Sequence, residues 1–255
     1  MAAAADGAGS PQRPAPARRR AGRPSVRVLS RRLIIETGLR LIDERGADGA
    51  GMRAIAAELG VRPSALYNHV AGRAELIAGV RELLSDRIPT GVFEHEPWDE
   101  ALEEWAHHYR VAFAAHPSTV ALLAVLPLAE ESATTRMYEA VIAAMLRAGW
   151  PRDRALTALV ALESFILGSA LDLAAADDML DPGPRTDVPA FAVAYEARRA
   201  ALAAAGQRPA DAAFELGLRA LLAGLRAELA AVREEAGSGP ARPSAPNAPR
   251  PATGR

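Results

Sequence analysis

The stretch GVRPSALYNHV, Gly60 to Val70, sets a phenol, a carboxamide and an imidazole side by side at Tyr67, Asn68 and His69. Arg62 and Ser64 lie just upstream, and Arg53 and Arg73 flank the stretch. These side chains donate and accept hydrogen bonds or carry a permanent positive charge, which suits contact with a polyanion and with heterocycle edges. Bond-breaking chemistry has no comparable constellation: the sequence carries no nucleophile elbow, phosphate loop or paired catalytic carboxylates. The chain contains no Cys, which excludes disulfides, thiol catalysis and Cys-ligated zinc. His107 and His108 are neighbours on a helical segment, where successive side chains point about 100° apart, so they read as solvated rather than as a metal pair. No metal and no cofactor is expected.

Positioning this polar set requires a rigid frame, and the sequence supplies helices. Apolar residues recur at helical spacing from Ser30 onward: Leu33, Ile34, Thr37, Leu41 and Ile42 on a first helix that Ser30 can cap, then Ile55, Ala56 and Leu59 on a short second one at 52–59. Gly60 ends the second helix. Pro63 then opens a third, where a missing N–H is tolerated, with Leu66 and Val70 as its thin apolar edge. A fourth runs from Gly72 to about Ile88. Two short helices joined by LGV, the second with polar tips, form a helix-turn-helix whose outer face fits the DNA major groove. In that frame Tyr67 and His69 are groove-floor and phosphate contacts, Arg62, Ser64 and Asn68 lie near base edges, and Arg53 and Arg73 clamp backbone phosphates. The competing reading makes Tyr67 and His69 decoration on a surface turn.

Charge is distributed to match. Residues 1–73 hold thirteen Arg against six acids, whereas 74–255 hold seventeen Arg against twenty-five acids. A basic head on an acidic body suits a polyanion at one end only. Part of that excess is an Arg-rich tail, since eight of the thirteen precede Leu33. Residues 1–28 and 236–255, rich in Ala, Pro, Gly and Arg, are expected to be disordered. No secretory h-region follows the N-terminal Arg cluster, and the charge-free run between Arg110 and Glu130 is broken by His116, Pro117 and Pro127. The chain therefore reads as soluble and cytoplasmic, with no membrane partner.

The expected fold is all-α, in two domains: a helix-turn-helix domain over 29–89 and a larger helical domain over 90–235. Helices are expected at 98–115, 118–126, 132–148, 152–175, 190–205 and 209–234, with 176–189 a loop around Pro182, Pro184 and Pro189. The helix at 152–175 is apolar nearly all round, and 209–234 repeats Phe214, Leu218, Leu221, Leu222, Leu225 and Leu229 at coiled-coil-like spacing. Helices this apolar need a partner, so both are expected to form a four-helix homodimer interface through Leu159, Ile166, Gly168, Leu218, Leu221, Leu222 and Leu225. The alternative is that both are core helices of a monomer. Leu102, Trp105, Tyr109 and Phe113 share a helix face and, with Glu163 and Phe165, are candidate linings of a ligand pocket. An ordinary aromatic core would produce the same pattern.

From Ile34 to Ile77 the sequence, with GMRAIAAELGV, then ALYNHV, then an Arg and EL, resembles the DNA-binding domain of the tetracycline-repressor (TetR) family. AGWPRDRALTALVALESFILGSALDL and FELGLRALLAGL are similar to the C-terminal regulatory domain of the tetracycline-repressor branch. The likeness covers roughly residues 30 to 230, with 176–208 outside it. It implies a dimeric regulator, a repressor by preference, that binds a palindromic operator in double-stranded DNA and is released by a small-molecule inducer held in each subunit. Two departures qualify the match. Gly51 stands where many relatives carry Ser or Thr, which weakens a helix cap by a few tenths of a kcal/mol, and Pro63 removes a side chain that could read a base. Relatives that bind magnesium-tetracycline use a His in an HLGT-like stretch; here the matching LLAVLP, Leu122 to Pro127, has none, so a hydrophobic small molecule is the expected inducer. An activator, a ligand-blind DNA binder of the same fold, and an enzyme using His116 or Glu163 as a base remain the alternatives.

Overall fold

The computed structural model describes residues 29–123, 127–128 and 132–237. Among the described residues ten α-helices follow one another: α1 Arg31–Arg45, α2 Met52–Leu59, α3 Pro63–Leu66, α4 Arg73–Ser85, α5 Trp98–Ala114, α6 Pro117–Leu123, α7 Ala133–Arg147, α8 Arg152–Leu173, α9 Pro189–Ala205 and α10 Pro209–Gly237. Among the described residues there is no strand. The expected tail at 1–28 lies outside the described residues; so does the C-terminal tail from 238 on, α10 having run two residues past the expected boundary.

Local rules explain the first four helices. Ser30 Oγ accepts from the Leu33 amide at 3.2 Å and caps α1, whose buried face carries Ile34, Ile35, Leu39, Leu41 and Ile42. α1 crosses α4 at close range through two glycines. A Cβ on Gly38 would stand 2.8 Å from a Leu76 methyl, and one on Gly79 2.4 Å from Ile35. α2 stops at Gly60, whose φ of 67° and ψ of 30° fall in the left-handed region that side chains avoid; its amide bonds back to the last turn of α2. α4 ends at Ser85, shorter than the expected Ile88, because Asp86 closes it and Arg87 and Ile88 continue as a tight turn. Ile88 is nonetheless buried.

Among the described residues one apolar core runs from Ile34 on α1 to Leu229 on α10. The segment between α4 and α5 belongs to it: Phe93 is buried against Trp105, and Arg147 donates to the Phe93 carbonyl at 2.6 Å. α5 and α8 form the centre of the second half, with α7 on one side and α10 on the other. α8 is the one helix among the described residues that is long and apolar enough to cross a membrane, with mean hydropathy 1.7, yet only 28% of that stretch is buried within the chain. α9 buries no residue at all.

Candidate functional site

The turn between α2 and α3 places the polar set on the outside. Leu66 and Val70 are fully buried and pin the short α3 and its following turn to the core. That anchoring leaves Arg62, Ser64, Tyr67 and Asn68 exposed and His69 half-buried; the Tyr67 side chain keeps 54% of its surface in solvent. Arg53 is exposed at the start of α2.

Ion pairing sorts the arginines of this half. Arg31 pairs with Glu75, Arg32 with Glu36, Arg40 with Glu44 and Glu58, and Arg45 with Glu58. Among the described residues Arg53 and Arg62 alone, of the arginines in 29–89, make no hydrogen bond or ion pair. Arg73, expected beside them as a phosphate clamp, is partly committed elsewhere: its Nη2 donates to the Ala47 carbonyl at 2.7 Å, tying the start of α4 to the loop after α1.

The second half contains a partly open cavity of about 290 Å³ lined by residues of α4, α5, α6, α7 and α8 and by Leu128. Tyr109 and Phe113 form one wall, their rings stacked at 4.8 Å and 7°. Glu163 reaches in from α8 and accepts on one oxygen, Oε1, from both the Tyr109 and the Tyr138 hydroxyls, each at 2.5 Å. Burial, reinforced by the Glu163 carboxylate, pushes both phenols well above the ordinary tyrosine range, so they serve as donors throughout the physiological range. Arg81, which also lines the cavity, donates to the Pro127 carbonyl at 3.0 Å and to the Leu123 carbonyl. Ser85 and Thr134 share a hydrogen bond of 2.9 Å beside it, and Glu82 caps the start of α7 through the Ala133 amide. A second cleft, about 250 Å³, lies between α9 and the segment after α8, but no side chain lining it is buried.

Of the six residues expected to line a pocket, Tyr109, Phe113 and Glu163 line the larger cavity. Leu102 and Trp105 do not; both are fully buried in the core behind it. Phe165 points the other way, stacked on Phe214 at 5.6 Å, with its ring filling the space that the missing side chain of Gly217 leaves. Arg81, Ser85, Thr134 and Tyr138 escaped the sequence reading because they sit on α4 and α7, whose apolar stripes gave no reason to single out their polar members. His116 and Glu163, the alternative base candidates, are far from a shared arrangement: His116 bonds Asp43 and Arg87, while Glu163 bonds the two tyrosines.

The expected interface residues divide likewise. Leu159, Ile166, Leu218 and Leu222 are fully buried inside the protomer. Leu221 and Leu225 are half-buried and Gly168 is exposed, with open space where a Cβ would stand. The apolar residues that α8 turns outward are Leu156, Val160 and Leu171; on α10 Leu216 is 63% exposed, near exposed Ala220, Ala223, Gly224 and Ala227.

Comparison with known proteins matches both halves. Residues 34–80 match a family profile described as "Bacterial regulatory proteins, tetR family", and 93–229 match "Tetracyclin repressor-like, C-terminal domain". The second match runs through 176–208, which the sequence reading had left outside the likeness. The class A tetracycline repressor from transposon 1721 of Escherichia coli is 29% identical over 207 residues, covering 80% of this chain and 94% of that repressor. Apo ActR from Streptomyces coelicolor superposes with a TM-score of 0.64 at 24% identity, over 80% of this chain and 98% of ActR. ActR in complex with actinorhodin gives 0.61 at 25% identity, over 79% and 98%.

Proposed function

Because the chain belongs to the TetR family of DNA-binding transcriptional regulators, we propose that it is a homodimeric repressor that reads a palindromic operator and releases it when a small molecule fills the cavity. Arg53, Arg62, Ser64, Tyr67, Asn68 and His69 form its reading surface, and Arg73 adds a backbone contact with the donors not spent on Ala47. Arg53 supplies a phosphate contact and Arg62 lies near base edges; the absence of side-chain partners leaves the charge of both available. A protein that reads DNA works where the DNA is, so its place is the cytoplasm.

The observation that carries this reading is that α4 belongs to both sites. Arg73 opens the helix beside the reading turn, and Arg81 and Ser85 at its other end line the cavity. Thirteen helical residues make a rod of about 20 Å. A ligand that presses on Arg81 or Ser85 tilts that rod, and the reading turn moves with it. In a dimer the two turns must stay about 34–36 Å apart to enter successive major grooves, so a small tilt misplaces both. A differential affinity of about 2–3 kcal/mol between the two states changes operator binding by about one to two orders of magnitude.

The outward apolar face of α8, with Gly168 and the small residues of α10, supports dimerisation through these helices. ActR is seen with actinorhodin, which supports an organic small molecule as the inducer class here. Binding-site selection from random DNA with the purified full-length protein tests the reading. A two-fold symmetric consensus with half-sites one helical turn apart is expected; an asymmetric consensus or no enrichment rejects it.

A further inference from the structure

The cavity is electrically asymmetric, and the asymmetry names a ligand class. At one end stands the Glu163 carboxylate. Both of its donors, Tyr109 and Tyr138, bond the same oxygen, and among the described residues neither a donor on Oε2 nor an ion pair to this carboxylate occurs. The two phenols stay protonated, so they orient the carboxylate without neutralising it. The Arg81 guanidinium also lines the cavity; it donates to the Leu123 and Pro127 carbonyls, and its charge is felt by both tyrosines. Between them the walls are Phe113, Val120, Leu128 and Leu167.

A carboxylate facing an apolar cavity costs free energy unless a cation or donor meets it. Water can do this in the empty cavity. A ligand that expels the water must replace it, and one without a positive group leaves the carboxylate poorly solvated.

We infer that the inducer is a lipophilic amine, bound with its ammonium against Glu163 Oε2 and its apolar body against the Tyr109–Phe113 stack. The inference rests on the cavity being the inducer site. It also specifies an order of preference: cation over neutral molecule over anion, for bodies of one shape.

Isothermal titration calorimetry of the full-length protein with three probes of one skeleton tests it: naphthylmethylamine, naphthylmethanol and naphthoate. The amine should bind at least about tenfold more tightly than the alcohol, the size of a charge-assisted hydrogen bond in a shielded site. In Glu163→Gln, whose amide oxygen still accepts from the tyrosines, the amine and alcohol should converge to within about threefold. Equal affinities in the wild type, or naphthoate binding best, overturn the amine class whatever the variant does. In that case, loss of all three in Leu167→Trp, which fills the cavity, keeps the cavity as the ligand site. Binding of the probes that Leu167→Trp leaves unchanged, or no binding of any probe, overturns the cavity reading and the amine inference together.

Discussion

His116 Nδ1 lies 2.7 Å from Asp43 Oδ2, which joins the α5–α6 turn of the regulatory half to α1 of the helix-turn-helix half. The other imidazole nitrogen, Nε2, is 2.9 Å from Arg87 Nη1, just beyond α4. The ring thus bridges α1, the residue just beyond α4 and the α5–α6 turn, and only 15% of the His116 side chain is exposed. Partial burial makes this hydrogen bond worth more than one fully exposed to water, and its position makes it a brace between the two halves.

Replacing His116 by Ala is expected to remove about 1 kcal/mol of stability, seen as a fall of about 2–4 °C in the melting midpoint. It should also shrink the ligand-induced drop in operator affinity, because the regulatory half then pulls less directly on α1. Calorimetric melting and operator titrations with and without ligand read the two effects separately. A variant that melts and responds like the wild type would show the bridge to be idle.

The unpaired arginines give the second prediction. Arg53→Ala should weaken binding to every DNA sequence and reduce the slope of log affinity against log salt by about one, whereas Arg62→Ala, near the base edges, should weaken binding and relax sequence preference. Their melting points should hold, since neither side chain has a partner to lose. Arg73→Ala is different: losing the Ala47 tie lowers stability by about 1 kcal/mol in addition to any effect on DNA. Equal melting of all three variants would contradict the assignment of Arg73 to a structural tie.

Alkaline titration follows from the tyrosine pair. Tyr109 and Tyr138 are pushed up first by burial and then by the Glu163 carboxylate. The folded state therefore holds these protons more tightly than the unfolded chain does. The resulting stabilisation is complete below pH ~10, the free-tyrosine value, and is lost as pH rises through the folded values. Absorbance of tyrosinate should show two phenols that ionise only as the protein unfolds. Glu163→Gln should bring both closer to the ordinary value; unshifted phenols in the wild type would remove the hydrogen-bond pair from the cavity.

Outward and inward leucines on the same helices should behave oppositely. Val160→Arg and Leu216→Arg, on exposed positions, should yield folded monomers by light scattering. Leu222→Arg, at a fully buried position, should fail to fold, because an unpaired charge in the core costs several kcal/mol. Dimers persisting in both exposed-site variants would place the interface elsewhere.

The helix-turn-helix was legible in the sequence because its rules are local: Ser30 as a cap, Gly60 for a left-handed turn, Pro63 at a first helical position. The regulatory half was legible as helices but not as faces. Helical period shows that Leu159, Ile166, Leu218 and Leu222 share sides with their neighbours, yet it cannot tell which side meets the protomer's own core when nearly every side is apolar. The cavity needed helices far apart in the chain to converge, so Arg81 and Tyr138 carried no signal of their own. Glu163 was visible because a carboxylate in an apolar stripe breaks a pattern.

The most direct test of the account is a fluorescence-anisotropy titration of the purified protein against DNA upstream of its own gene, in rising salt and with excess random competitor. The account predicts binding that resists competitor, two protomers per site, and loss of that binding in the Arg53→Ala, Arg62→Ala double variant. Binding no tighter than to the competitor, or a double variant that binds like the wild type, would contradict it.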